Sequence, residues 1–352
     1  MTCNACGADL AADALFCEAC GAKVGAGEAP TALTVPAGVS EDAAPISTPT
    51  AVRAPVEVSA PQTRTCVECG GVVGADGYCE SCGIKAASER DHFREAPVAS
   101  VAGVCDRGIQ HHRNEDAMAL WADAAQPGRA VLVVCDGVSS SKDSDVASLA
   151  GARAAREVLR PGIPQGMGTP ESAEAAATKI LTQAAAAAQA AVLANTATDS
   201  DSPASCTFTV LTVDGRLLRH AQIGDSRAYW FPDSREDVQL TVDDSMAQML
   251  IAGGMPRAEA ENAPQAHAIT KWLGKDSPDI VPVCGSLTVE GPGWAMACSD
   301  GLWNYASEPS AIRAQMDAAA TADPAALSLA LVEFAKKAGG HDNITVAFAR
   351  VD

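Results

Sequence analysis

Cationic and aromatic residues are scarce in this sequence. Lys and Arg number 25 against 44 Asp and Glu, for a formal net charge of -19, and aromatics are 4% of residues. A phosphate backbone needs a cationic footprint, so the balance argues against a sequence-blind nucleic-acid binder. The same balance argues against an anionic membrane surface. No run of 18 uninterrupted apolar residues occurs, and the Ala-rich stretch 182–194 reads as a helix rather than a membrane span. The opening Met1-Thr2-Cys3 lacks a basic start followed by an apolar run, so no secretory leader is expected. Several catalytic signatures are missing too: the G-x-x-x-x-G-K-[ST] loop, the G-x-S-x-G elbow, the G-x-G-x-x-G loop, and any cysteine with arginine six positions later. An acidic chain can still bind phosphate esters if metal cations supply the positive charge.

Cysteine, by contrast, is abundant: 13 in all, eight of them before residue 83. Cys3-x2-Cys6 and Cys17-x2-Cys20 are followed by a second copy, Cys66-x2-Cys69 and Cys79-x2-Cys82. Each pair is followed by glycine: Gly7, Gly21, Gly70 and Gly83. In a reducing cytoplasm, the expected location, such pairs read as metal thiolates rather than disulfides. Two Cys-x2-Cys turns supply the four soft ligands of a tetrahedral zinc, and the glycine lets the backbone N–H groups face the sulfurs. Two structural Zn2+ ions are expected. The arrangement resembles the double zinc ribbon family over residues 3–82, and pairing across the intervening segment stays open. A closed four-cysteine shell has no free coordination position, so a docking role is expected, with a protein partner or with the catalytic part. Residues 1–97 hold six Lys and Arg against thirteen Asp and Glu, which again disfavours nucleic acid.

The chain divides into a first ribbon half at 1–23, a flexible linker at 24–64, a second ribbon half at 65–84, a charged joint at 85–97 and a globular domain at 98–352. The linker has six prolines, no aromatic residue, and too little apolar area to offset its ordering entropy. In the globular part, strands are expected at 98–104, 117–121, 130–135, 207–213, 217–222, 227–231, 280–283, 294–297 and 344–351. Helices are expected at 143–160, 171–193, 244–252 and 325–337. The elements cluster rather than alternate, which predicts an α+β fold with antiparallel sheets.

Acidic residues recur at the edges of these strands. Asn114-Glu115-Asp116 precedes one, Asp136-Gly137 ends another, Ser299-Asp300-Gly301 ends a third, and Asp342-Asn343 precedes the last. One Asp-Gly at a strand end is an ordinary hairpin turn. Four such elements, with Gly224-Asp225-Ser226-Arg227, suggest converging carboxylates that repel unless cations neutralise them. Hard oxygen ligands suit Mg2+ or Mn2+.

In order and content these motifs resemble the type 2C metal-dependent protein serine/threonine phosphatases, the PPM family, over residues 98–352. The resemblance implies a four-layer αββα sandwich and a binuclear site at one end of the sheets. It implies that Asp136 bridges two Mn2+ or Mg2+ ions, with the Gly137 carbonyl as a further ligand. Asp300 and Asp342 would hold one ion. Glu115 and Asp116 would lie on the other side, and Asp225 would serve a third, weaker ion. Hydrolysis of phosphoserine and phosphothreonine in proteins by an activated water follows, in a monomer.

Two departures from the family pattern matter. Where many bacterial members have a phosphate-gripping arginine, this chain has His111, with Arg113 two residues on, and either is a candidate for the phosphate. After Asp136-Gly137 stands Val138-Ser139-Ser140-Ser141, so no histidine is present there as a general acid, and the serines read as a turn capping the next helix. Cys105, Cys135, Cys206, Cys284 and Cys298 sit in apolar runs and read as small core residues. Two other readings share the site: a phosphatase-like scaffold that binds phosphoproteins without turnover, and hydrolysis of a small phosphoester.

Overall fold

The computed structural model describes residues 70–352 apart from 75, 84, 85, 87, 165 and 235. Cys3, Cys6, Cys17, Cys20, Cys66 and Cys69, and the linker expected at 24–64, lie outside the described residues. The chain divides into two compact units, Met1–Ala87 and Ser88–Asp352.

In the first unit, Val73 pairs antiparallel with Cys79, and both pack with Ala86. Gly83 N donates to the Cys79 carbonyl at 2.8 Å, closing the turn that carries Cys79 and Cys82. Gly70 and Gly83 have φ of +74° and +71°, the left-handed region where a side chain is strained. That is why glycine follows the cysteine pair.

The second unit starts with β1 (His92–Val98), β2 (Val101–Asp106), β3 (Ala117–Ala122) and β4 (Arg129–Cys135). Helices α1 (Ser144–Leu159) and α2 (Pro170–Ala194) follow. Then come β5 (Ser205–Cys206), β6 (Phe208–Asp214), β7 (Leu217–Ile223), β8 (Arg227–Pro232) and β9 (Val238–Gln239). Short helices α3 (Met246–Ala252) and α4 (Arg257–Ala260) precede β10 (Leu273–Gly274), β11 (Val283–Thr288) and β12 (Gly293–Cys298). The chain closes with α5 (Asp300–Trp303), α6 (Pro309–Ala319), α7 (Pro324–Ala338) and β13 (Ile344–Val351).

Among the described residues two large antiparallel sheets form, ordered β1-β2-β13-β12-β8-β9 and β11-β7-β6-β4-β3, and β10 pairs with β5 in a separate two-stranded sheet. Side-chain alternation assigns the layers. On β4, Val131, Val133 and Cys135 face α1 and α2, while Leu132 and Val134 face the other sheet. On β12, Ala295 and Ala297 face inward, and Trp294, Met296 and Cys298 face α6 and α7. Strands covered on both faces read as continuous apolar runs, which is what made β4 and β12 legible. The result is the four-layer αββα sandwich. The alanines of α2 bring it close to α1: a Cβ on Gly151 would meet Val192 at 3.3 Å. Among the described residues, no single helix is long and apolar enough to cross a membrane.

Some boundaries differ from expectation. Residues 92–97, read as part of a joint, form β1 instead, hydrogen-bonded to β2. The strand expected at 280–283 lies at Val283–Thr288, and the single strand expected at 98–104 is the end of β1 plus β2. Of the five core cysteines, Cys284 is only partly buried, and burial pushes up the thiols of Cys105 and Cys298.

Candidate active site

The strand registers bring the acidic turns to one end of the sandwich. Ala117, directly after Asp116, pairs with Cys135, directly before Asp136. Cys298, two residues before Asp300, pairs with both Val346 and Arg227, so the turns carrying Asp300, Asp342 and Asp225 are neighbours. Close backbone approach tightens the end. A Cβ on Gly137 would stand 2.6 Å from the Glu115 carbonyl, and one on Gly301 would collide with the Asn343 carbonyl.

The carboxylates themselves are packed together. Asp116 is fully buried. Its Oδ2 accepts from Ser299 Oγ at 2.6 Å and Thr345 Oγ1 at 2.7 Å, while Oδ1 has no partner. Asp136 lies close enough to Asp116 and Asp300 for their charges to repel. Loss of hydration, then mutual repulsion, drives the acids toward protonation. Asp116 and Asp225 are pushed up to about 7, and Asp136 and Asp300 well above the carboxylate range. Asp300 Oδ1 is also buried without a partner, and its Oδ2 accepts from Asn304 Nδ2 at 3.0 Å. Asp342 is more open, with 37% of its side chain exposed.

Residues to which the sequence assigned no role at the site hold this cluster in shape. Thr207 Oγ1 accepts from Asp136 N at 2.9 Å and bonds Ser226 Oγ at 2.8 Å, tying the Asp136 turn to the Asp225 turn. Asn343 accepts from Glu115 N at 2.7 Å and donates to the Arg107 and Arg113 carbonyls. Trp303 Nε1 donates to the Asp225 carbonyl at 2.9 Å, and Arg227 stacks on the Trp303 ring at 3.6 Å while paired with Asp243 at 2.7 Å. Arg90 donates to the carbonyls of Asn114, Asp116 and Asp145, from within the segment read as a joint. Only the motif membership of Asn343, Ser226 and Arg227 was a sequence signal; the other contacts span chain separations that no local pattern reports.

The two phosphate candidates are engaged with protein groups. Arg113 gives Nε to Glu115 Oε1 at 2.6 Å and Nη2 to the Ser141 carbonyl at 2.7 Å, leaving Nη1 loosely beside Asp145 at 3.8 Å. His111 lies between Glu115 and Asp342. The Glu115 carboxylate, with Asp342 behind it, pushes the imidazole above its usual range despite burial. Burial would raise Glu115, but His111 and Arg113 outweigh it and hold the acid below its usual range. The serine turn does not cap α1: Asp143 at its N-cap has φ 57° and no side-chain capping bond, and Ser141 Oγ pairs with Ser205 Oγ at 2.9 Å.

The donor set fits hard divalent cations. It consists of carboxylate oxygens, three of them buried and unpartnered on Glu115, Asp116 and Asp300, and a cation would relieve the repulsion among the acids. Among the described residues, no group of three or more His, Cys, Asp or Glu is arranged as it stands to hold a metal ion. In the first unit, the Cys79–Cys82 turn fits half of a thiolate zinc site.

Residues 108–266 match the family model described as Protein phosphatase 2C, and residues 3–83 match that of the Double zinc ribbon. The chain is 37% identical over 148 residues to Protein phosphatase PhpP of Streptococcus pneumoniae, a match covering 42% of this chain and 58% of that protein. The chain thus spans little more than half the length of that relative. The crystal structure of the Mycobacterium tuberculosis serine/threonine phosphatase PstP/Ppp superposes with TM-score 0.58 at 26% identity, over 72% of this chain and 98% of that one. A PstP catalytic domain in complex with 2 manganese ions gives TM-score 0.55 at 25% identity, over 72% and 98%.

Proposed function

We propose that the chain carries a phosphatase domain of the protein phosphatase 2C family and that it removes phosphate from phosphoserine and phosphothreonine in proteins, with divalent cations held by its clustered carboxylates. The observation that carries this reading is the cluster of Asp116, Asp136 and Asp300, with buried unpartnered oxygens on Asp116 and Asp300. The manganese pair in the PstP catalytic domain supports two cations here. Asp136, with the Gly137 carbonyl as a further ligand, Asp300 and Asp342, and Glu115 and Asp116 would hold them, and Asp225 would hold a third, weaker cation. Bound there, such cations lower the pKa of a shared water and neutralise the phosphate.

The chain's own residues orient these acids. Ser299 and Thr345 fix the Asp116 carboxylate so that its free oxygen points away from them. Thr207 sets the Asp136 backbone. Arg113 Nη1, the loosest arm of its fork, is the arm that can reach a phosphate oxygen. With Val138 to Ser141 after Gly137, no side chain in that turn protonates the leaving alkoxide, so solvent does.

The eight N-terminal cysteines would hold two structural zincs in a docking module, joined by a linker to a catalytic domain that works as a cytoplasmic monomer. The test is hydrolysis of a phosphothreonine peptide with Mn2+ by the parent chain, Asp136→Asn and Asp300→Asn. Each variant is expected to lose at least about a hundredfold in rate. Variants as fast as the parent would sink the reading, and tight phosphopeptide binding without turnover would favour a non-catalytic scaffold.

A further inference from the structure

Both ring nitrogens of His111 face carboxylates: Nδ1 is 3.6 Å from Glu115 Oε2, and Nε2 is 3.4 Å from Asp342 Oδ1. A charge-assisted N–H···O bond closes to about 2.7–2.9 Å, so neither contact is a tight hydrogen bond. Two donors about 2.1 Å from a shared cation stand about 3.0 Å apart at a right angle and about 3.4 Å apart at the tetrahedral angle. The spacing of Nε2 and Asp342 is that of a ligand pair. On the other side of the ring, Glu115 Oε2 is buried and lacks a hydrogen-bond partner, while Oε1 is held by Arg113. A metal-ligating imidazole almost always donates its other N–H to a carboxylate or carbonyl, and Glu115 Oε2 stands where that acceptor belongs.

We propose that His111 is a nitrogen ligand of a divalent cation, through Nε2 beside Asp342, with Glu115 orienting the ring from Nδ1. The inference rests on reading the carboxylate cluster as a divalent-cation site and adds to it a residue and a selectivity. Imidazole suits later transition metals best, and of the two oxygen-preferring ions Mg2+ is the stricter, because it gives up its waters reluctantly. One imidazole in an oxygen set therefore biases the site toward Mn2+. It also takes His111 away from the phosphate, where the sequence had made it a candidate, and moves Glu115 from holding the cation to supporting the ring that does.

The experiment uses the full chain with its zinc retained, loaded with Mn2+ and examined by pulsed electron paramagnetic resonance for ligand-nitrogen coupling. The parent and His112→Gln are expected to show the coupling. His111→Gln is expected to lose it while still binding Mn2+, with Mn2+ affinity down by about tenfold and Mg2+ affinity changed much less. Coupling that persists in His111→Gln would overturn the proposal. So would Mn2+ bound to the parent in an Asp136-dependent way with no nitrogen coupling, which would leave the cation site itself standing. A parent that binds no Mn2+ would remove both.

Discussion

Single residues in this fold carry protonation states that the bulk sequence does not reveal. His220 on β7 is 8% exposed, and its Nδ1 lacks a partner. Burial pushes its pKa below the usual imidazole range. The unfolded chain therefore binds a proton near pH 6.5 that the folded chain refuses, so stability contributed by neutral His220 is present above that pH and is lost as pH falls below it. His220→Gln should flatten this loss: in denaturant titrations at pH 7.5 and pH 5.5, the parent should lose more stability than the variant. Equal losses would show that His220 is not buried in its neutral form. At the site, the acids were legible as residue types, and their neutral supports were not. Ser299 is part of a recognisable Ser-Asp-Gly, yet its hydroxyl serves Asp116, 183 positions away. Arg90 sits in a charged stretch that reads as solvated, and only tertiary packing reveals its carbonyl contacts.

Elements succeed or fail as sequence signals according to how many faces they bury. Strands β4 and β12, covered on both sides, stand out as apolar runs. Strand β1 is an edge whose sequence, His92-Phe93-Arg94-Glu95-Ala96-Pro97-Val98, alternates in exposure and carries charge and proline, so composition alone reads it as a joint. Strand β11 is likewise an edge, with no fully buried residue, and its expected place slipped to the more apolar 280–283. The turn after β4 is the element on which the site depends most. A methyl group at Gly137 would press on the Glu115 carbonyl, so Gly137→Ala forces apart the two turns that carry Glu115 and Asp136. The expected cost is about 1–3 kcal/mol of stability, together with a larger proportional loss of Mn2+ affinity. Thermal melting and Mn2+ calorimetry on the same sample check this. Unchanged affinity would mean that the turn spacing does not set the site.

For the whole molecule, the second compact unit begins at Ser88, whereas the sequence reads the globular domain from residue 98. The reason is physical: Phe93 and Val98 pack on the core between the sheets, and Arg90 ties the Asn114–Asp116 turn to the start of α1. A chain beginning at Ser88 is expected to fold and hydrolyse a small aryl phosphate as fast as the full chain. One beginning at Val98 should lack cooperative unfolding, as seen by circular dichroism. Equal folding of the two would put the boundary back at the sequence-based position. The excess of acids, which first argued against any anionic partner, gathers in part at one end of the sandwich as a cluster that cations can neutralise. The rate of phosphate release from a phosphothreonine peptide, followed as Mn2+ is added to protein freed of Mn2+ and Mg2+ but not of zinc, tests that claim most directly. The account predicts almost no release at the outset and a saturable rise with Mn2+ that Asp136→Asn abolishes. Full activity without added cation, or a rise that Asp136→Asn shares, would contradict it.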